Sequence, residues 1–232
     1  ATPAAWDIEG WNLVWQDEFE SSEIDRTKWT FDKGGNGWGN AEWQYYSDRP
    51  ENARIEDGML IIEAREEDIS FSGKPYSSAR LKTQGLHSWK YGRIEARMKL
   101  PYGQGIWPAL WMLGDNNKGW PACGEIDILE HIGREPNTIY ATVHAQGYSG
   151  GNGVGSNLVV SDGTVKDEFH VYAIEWKRMR SAGCLMSRNI SRSRLKTYPM
   201  PGSSTMSFIY SSTSPSVDAG PAIRTTAPSS RS

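Results

Sequence analysis

GRIEARMKL, residues 92–100, sets Ile94, Ala96, Met98 and Leu100 on one side of an extended chain and Glu95, Arg97 and Lys99 on the other. A period of two marks a strand with one buried face, because successive side chains point to opposite sides of a sheet. The pattern recurs in both directions from there. Upstream, MLIIEAR at 59–65 opposes Leu60, Ile62 and Ala64 to Ile61, Glu63 and Arg65. Downstream, TIYATVH at 138–144 opposes Ile139, Ala141 and Val143 to Tyr140, Thr142 and His144, and VYAIEW at 171–176 is strand-like too. Turn-rich stretches separate them: DKGGNGWGN at 32–40, YGQG at 102–105 and GYSGGNGVGSN at 147–157. No segment carries a 3.6-residue apolar stripe with caps. Short alternating strands at this spacing predict an all-β fold, an antiparallel sandwich or barrel.

The chain has 232 residues, 38% hydrophobic and 23% charged, which suits one large all-β domain or two small ones with a packed core. No run approaches the roughly 18 apolar residues of a membrane helix. The sequence opens ATPAAW, without a basic or apolar leader region, so any secretory signal is expected to be removed or absent. Cys123 and Cys184 are too few for a disulfide framework and fit no metal-ligand spacing.

The net charge of −3 conceals a break. Residues 1–176 carry 16 Lys and Arg against 27 Asp and Glu, a balance of −11, and hold all 11 tryptophans. Residues 177–232 carry 9 Lys and Arg against one acid, Asp218, a balance of +8, with 14 serines and almost no alternation. Two readings of this segment stand. One is a disordered basic tail. The other is an out-of-frame translation: back-translating FIYSSTSPSVDAG at 208–220 with GC-rich codons and shifting the frame gives the strand-like HLLFNLAVGGRW. We take the second as the working expectation, with a domain over 1–176 and an aberrant tail over 177–232. A Cys123–Cys184 bridge is discounted for the same reason.

The chemistry sits in GEIDILEHIG at 124–133, where Glu125, Asp127 and Glu130 fall within six residues. On a helix, Glu125 would point about 200° from Asp127 and about 140° from Glu130, so the three could not converge. On a strand, Glu125 and Asp127 share a face, and Glu130 falls on the other by parity. One extra residue, a β-bulge near Ile128–Leu129, restores it. Three acids on one face repel one another, which raises a pKa as a general acid near neutral pH requires. Paired carboxyls roughly 5–5.5 Å apart are the arrangement of retaining glycosidases. Taken alone, the spacing also fits a solvated acidic face or a calcium site.

GEIDILEH resembles the signature of glycoside hydrolase family 16, in the bulged E-x-D-x-x-E form of its laminarinase-like members. LVWQDEF at 13–19, KWT at 28–30, GNAEWQYY at 39–46, SARLKT at 78–83, YGRIEARMKLPYGQGIWPALWML at 91–113 and TVH at 142–144 resemble that family's other blocks, in order, over about residues 6–176. The resemblance implies a β-jelly-roll sandwich of two antiparallel sheets with a concave cleft, acting as an endo-β-1,3-glucanase with retention. It implies Glu125 as nucleophile, Glu130 as acid/base and Asp127 as modulator of their ionisation. His144 would point into the cleft, Trp107, Trp111 and Trp120 would meet sugar rings, and Asn40 and Arg80 would bond glucose hydroxyls. Trp120 could equally pack as a loop residue, and Arg80 could instead pair with a carboxylate; Glu42 and Gln44 are read as structural.

No cofactor is expected to be required. The family's calcium site would use Glu18 and an Asp of the last strand, for which the written C-terminus offers no strand residue. The expected partner is a β-glucan, with no nucleic acid or membrane, and the expected state is a secreted monomer. The rivals are a mixed-linkage β-1,3-1,4-glucanase or galactan-cleaving relative, a non-catalytic β-glucan-recognition module, and a nucleic-acid binder read from the basic tail. The retained glutamates oppose the module. The acidic front half, with no aromatics among the tail's charges, opposes the binder. With the C-terminal strands missing or garbled, the exact chain is expected to fold poorly or lack activity.

Overall fold

The computed structural model describes residues 11–161, 163–178, 184–188, 193–194, 204–211 and 222–228, with side chains described as far as Trp176. The main strands in chain order are β1 (Trp11–Asp17), β2 (Thr30–Asp32), β3 (Arg80–Lys82), β4 (Gly92–Met98), β5 (Trp107–Gly114), β6 (Glu125–Glu130), β7 (Thr138–His144), β8 (Val154–Val159), β9 (His170–Arg178), β10 (Cys184–Arg188), β11 (Ser193–Arg194), β12 (Ser204–Ser211) and β13 (Ala222–Pro228). One sheet runs β8-β7-β6-β5-β12-β3-β2 and the other β1-β13-β4-β9-β10-β11, with antiparallel neighbours throughout. Short strands at Gln44–Tyr46, Arg65–Glu66 and Tyr76–Ser78, and a hairpin of Ala53–Glu56 with Met59–Ile62, form two side sheets. Among the described residues no helix is long and apolar enough to cross a membrane.

The alternation read from residues 92–100 is the reason the sandwich closes. Ile94, Ala96, Met98 and Leu100 all lie in the core, together with Leu110 and Met112 of β5, Ile126, Ile128 and Leu129 of β6, and Ile139 and Val143 of β7. Tyr172, Ile174 and Trp176 of β9, the neighbour of β4 in its own sheet, join them. Burying each such large apolar side chain is worth about 1.5–3 kcal/mol. The other face of β4 does not simply meet water. Arg93 and Glu95 are buried there and pair at 2.8 Å.

The C-terminal segment differs from expectation in its backbone. Where missing strands are expected, β12 lies between β5 and β3 in the middle of one sheet, and β13 lies between β1 and β4 in the other. The physical reason is that strand pairing is made by main-chain N–H and C=O groups, which every non-proline residue carries. Two facing strand edges can therefore accept a segment whose side chains carry little pattern. The side chains of 177–232, and with them the partner of any Cys123–Cys184 bridge, lie outside the described residues. Cys123 itself is buried.

Candidate active site

The extra residue inferred in β6 is present. Against β5, Leu113, Met112 and Trp111 face Glu125, Ile126 and Asp127, and then Leu110 faces Leu129 and Ala109 faces Glu130. Ile128 has no counterpart. Against β7, the register steps from Asp127↔Thr142 to Glu130↔Tyr140, so three steps on one strand match two on the other. The bulge sends Ile126, Ile128 and Leu129 all into the core. Glu125, Asp127 and Glu130 consequently line one cleft. An unbroken strand would have driven Glu130 into the apolar side.

That cleft, about 680 Å³ in volume, runs over the β7-β6-β5 centre of the sheet. Its electrostatics follow from burial and crowding. Asp127 is 4% exposed, and burial, followed by the charge of Glu130, pushes its carboxyl well above the ordinary range. Burial and then the charge of Asp127 push Glu125 up to about 7, against the opposing pull of the Trp120 indole and His144. Burial and then Glu125 raise Glu130, with Trp107 and Thr142 bonding in the opposite sense. Oxygens of Glu125 and Asp127 stand within 4.8 Å of each other, so each carboxyl disfavours ionisation of the other. The cluster therefore holds protons that three isolated acids would have released, which is the condition for acid–base work near neutral pH.

Two indoles hold the two glutamates. Trp107 Nε1 donates to Glu130 Oε1 at 3.2 Å, and Trp120 Nε1 donates to Glu125 Oε2 at 2.5 Å. Both tryptophans line the cleft, as does Trp111. His144 Nε2 lies 3.1 Å from Asp127 Oδ2, and its buried Nδ1 meets no partner among the described residues. Gly153 makes room for that ring, since a Cβ there would stand 2.4 Å from His144 Cε1.

Arg80 reaches the cleft but pairs with neither catalytic candidate. Its Nε lies 2.9 Å from Asp32 Oδ2, across the β2–β3 pair, while Lys82 Nζ approaches Asp32 Oδ1 at 2.5 Å. The guanidinium stands 4.7 Å from the Trp111 ring centroid and 5.0 Å from that of Trp38. Asn40 lines the cleft, and its Nδ2 lies 3.4 Å from Glu42 Oε1. Glu42, read from sequence as structural, also lines the cleft and accepts bonds from Gln44 Nε2 at 2.5 Å and Tyr46 Oη at 2.8 Å. Its signal was available: Glu42, Gln44 and Tyr46 repeat at period two. Trp38 and Asp32 carried no comparable sequence signal, because the first is in a glycine-rich turn and the second acts across two strands.

Among the described residues, the donor atoms of Glu125, Asp127 and His144 form a group that could hold a metal ion, all within 4.8 Å of one another. Glu18 stands elsewhere, in a hollow shared with Asp17, Glu20, Glu23 and Lys28. It is in no such group among the described residues. The second ligand expected for calcium would come from side chains outside them.

The comparisons agree with this geometry. The family model described as glycosyl hydrolases family 16 matches residues 40–214. A beta-glucanase of Rhodothermus marinus is 50% identical over 172 residues, covering 72% of this chain and 59% of that protein. Glucan endo-1,3-beta-glucosidase A1 of Niallia circulans is 40% identical over 193 residues, covering 76% of this chain and 28% of that protein. The chain thus spans less than two thirds of the length of either relative. The crystal structure of the laminarinase from Rhodothermus marinus superposes with a TM-score of 0.83 at 36% identity, covering 95% of this chain and 98% of that one.

Proposed function

Since the chain belongs to glycosyl hydrolases family 16 and has the jelly-roll sandwich of its laminarinases, we propose that it hydrolyses internal β-1,3-glucosidic bonds of β-glucans with retention of configuration. The observation that carries this reading is the bulge at Ile128, which gathers Glu125, Asp127 and Glu130 on the cleft face. In the first step a Glu125 carboxylate oxygen bonds to the anomeric carbon as the glycosidic C–O bond breaks, and Glu130 gives its proton to the departing oxygen. In the second, Glu130 takes a proton from water, whose oxygen attacks the same carbon and releases Glu125. Glu125 must enter ionised and Glu130 protonated, and the mutual raising of their pKa values serves the second requirement. Asp127, beside Glu125 on the same strand and held by His144 at 3.1 Å, modulates the ionisation of the nucleophile. No step calls for a cofactor.

Reducing-sugar release from laminarin, lichenan and agarose tests the substrate, and the anomeric configuration of the first product, followed by NMR, tests the stereochemistry. Preferential cleavage of laminarin with a β product is expected. Preference for lichenan would shift the reading to a mixed-linkage enzyme, and an α product would overturn retention. Glu125→Gln should lower the rate by at least about a thousandfold. An unchanged rate would assign the catalysis elsewhere.

The reading extends to a secreted monomer that acts on polysaccharide outside the cell. It also keeps 177–232 as an out-of-frame translation: the +8 balance and absence of tryptophan after residue 176 support it. Expression beside a frame-restored version tests it, with a higher melting temperature and activity expected for the restored chain. Equal cooperative melting and equal activity would overturn it.

A further inference from the structure

We propose that Trp120 acts as a positioning residue for the nucleophile, its indole N–H holding one oxygen of Glu125 in the ionised, attack-ready state; this rests on Glu125 being the nucleophile. Three observations converge on it. Trp120 Nε1 donates to Glu125 Oε2 at 2.5 Å, shorter than an ordinary N–H···O bond. The ring is 52% exposed at the rim of the cleft, and its centroid lies 6.2 Å from that of His144, tilted by 55°. Among the described residues, the remaining neighbours of Glu125 give it no cation of fixed charge. Asp127 and Glu130 share its strand, His144 faces it from β7, Cys123 lies two residues before it, and β5 presents Leu113 opposite, which does not titrate. A neutral N–H is then the donor that favours the carboxylate in the presence of a desolvating wall and two further acids.

Trp107 does something different. It sits on β5, half-buried, and its N–H reaches Glu130 at the longer distance of 3.2 Å. The acid/base must alternate between protonated and ionised forms, so a weak donor suits it. The nucleophile must be ionised at the start and leave again as a carboxylate at the end, so a strong donor suits it in both half-reactions. When the glycosyl ester breaks, charge returns to the Glu125 carboxylate, and an N–H already in place stabilises that departing group.

Trp120→Phe keeps the flat ring and removes only the N–H. In protein carrying 13C at the glutamate side-chain carboxyls, with the Glu125 signal identified by its loss in Glu125→Gln, the titration midpoint of Glu125 should rise by about one pH unit in Trp120→Phe. The acidic limb of kcat/KM on laminarin should move up with it, while KM changes less than about threefold. An unmoved midpoint with a raised KM would overturn the proposal and leave Trp120 as a sugar-stacking surface. The NMR midpoint does not depend on turnover, so a parent chain without glucanase activity would sink the functional reading while leaving this one open to the same titration. Trp107→Phe serves as the contrast, and a shift of the Glu125 midpoint as large in it as in Trp120→Phe would also overturn the assignment.

Discussion

The outer face of β4 and the cleft face of β6 each bury a row of charge in the same sandwich. On β4, Arg93 and Glu95 are 7% and 4% exposed and pair at 2.8 Å, and Arg93 reaches across to Glu175 of β9 at 3.4 Å. Every acid in that row has a guanidinium beside it. On β6, Asp127 is 4% exposed between two more acids, and its pairing atom is a histidine nitrogen at 3.1 Å. In the first row one guanidinium serves both acids and ties β4 to β9. The second is acidic, so its charge is relieved by retained protons instead of partners. A fold that sets a guanidinium against the acids of one buried row and none against those of the other has placed its chemistry in the second.

The comparison breaks most sharply if the register beyond the bulge is shifted by one residue. Inserting one alanine between Leu129 and Glu130 moves Glu130 one position along β6 and turns it toward the core, so activity on laminarin should fall by at least about three orders of magnitude. Stability should drop as well, because a carboxyl would enter the apolar layer; a loss of activity with no change in melting would show that β6 can slip its register.

A smaller effect is expected in the β4 row. Arg93→Met leaves Glu95 and Glu175 without their guanidinium and should destabilise the fold by about 3–5 kcal/mol in urea unfolding, while kcat of the folded fraction stays near the parent value. Adding Glu95→Leu should recover much of that loss. Equal stability of parent and single variant would mean that the pair contributes nothing to the fold.

The smallest effect concerns pH. Glu125 is held at about 7 in the folded chain against an ordinary 4.5, and Asp127 is shifted in the same direction. Between these values the folded state keeps a proton that the unfolded chain has released, so stability falls as pH rises through that window. The stabilising contribution is complete below about 4.5 and lost above about 7. Glu125→Gln should flatten that slope, raising the melting temperature at pH 8 by a few degrees relative to the parent and by less at pH 5. Parallel slopes would indicate that the proton resides on Asp127 or Glu130.

Much of the site was legible in the primary structure. The parity argument alone demanded a bulge in β6, because three acids separated by Ile126, Ile128 and Leu129 can share a face only if one residue is skipped. The alternation of residues 92–100 likewise placed Ile94, Ala96 and Met98 in the core. Other features could not be read, because they are made across strands far apart in the chain. Asp32 meets Arg80, Trp38 meets Arg80, and Glu175 meets Arg93. The strands of the C-terminal segment were missed for a different reason: their pairing rests on the main chain, and the side-chain pattern on which a sequence reading depends is absent.

What the sequence determined by itself is the set of acids, their spacing and the sheet that must carry them, because periodicity and parity are properties of the chain. What only the tertiary structure decided is their state. The burial of Asp127, the indole N–H on each glutamate and the histidine against Asp127 come from β5, β7 and the loop before β6 packing around one strand. A carboxyl's proton affinity depends on the water and charge around it, and those are fixed only when distant segments meet.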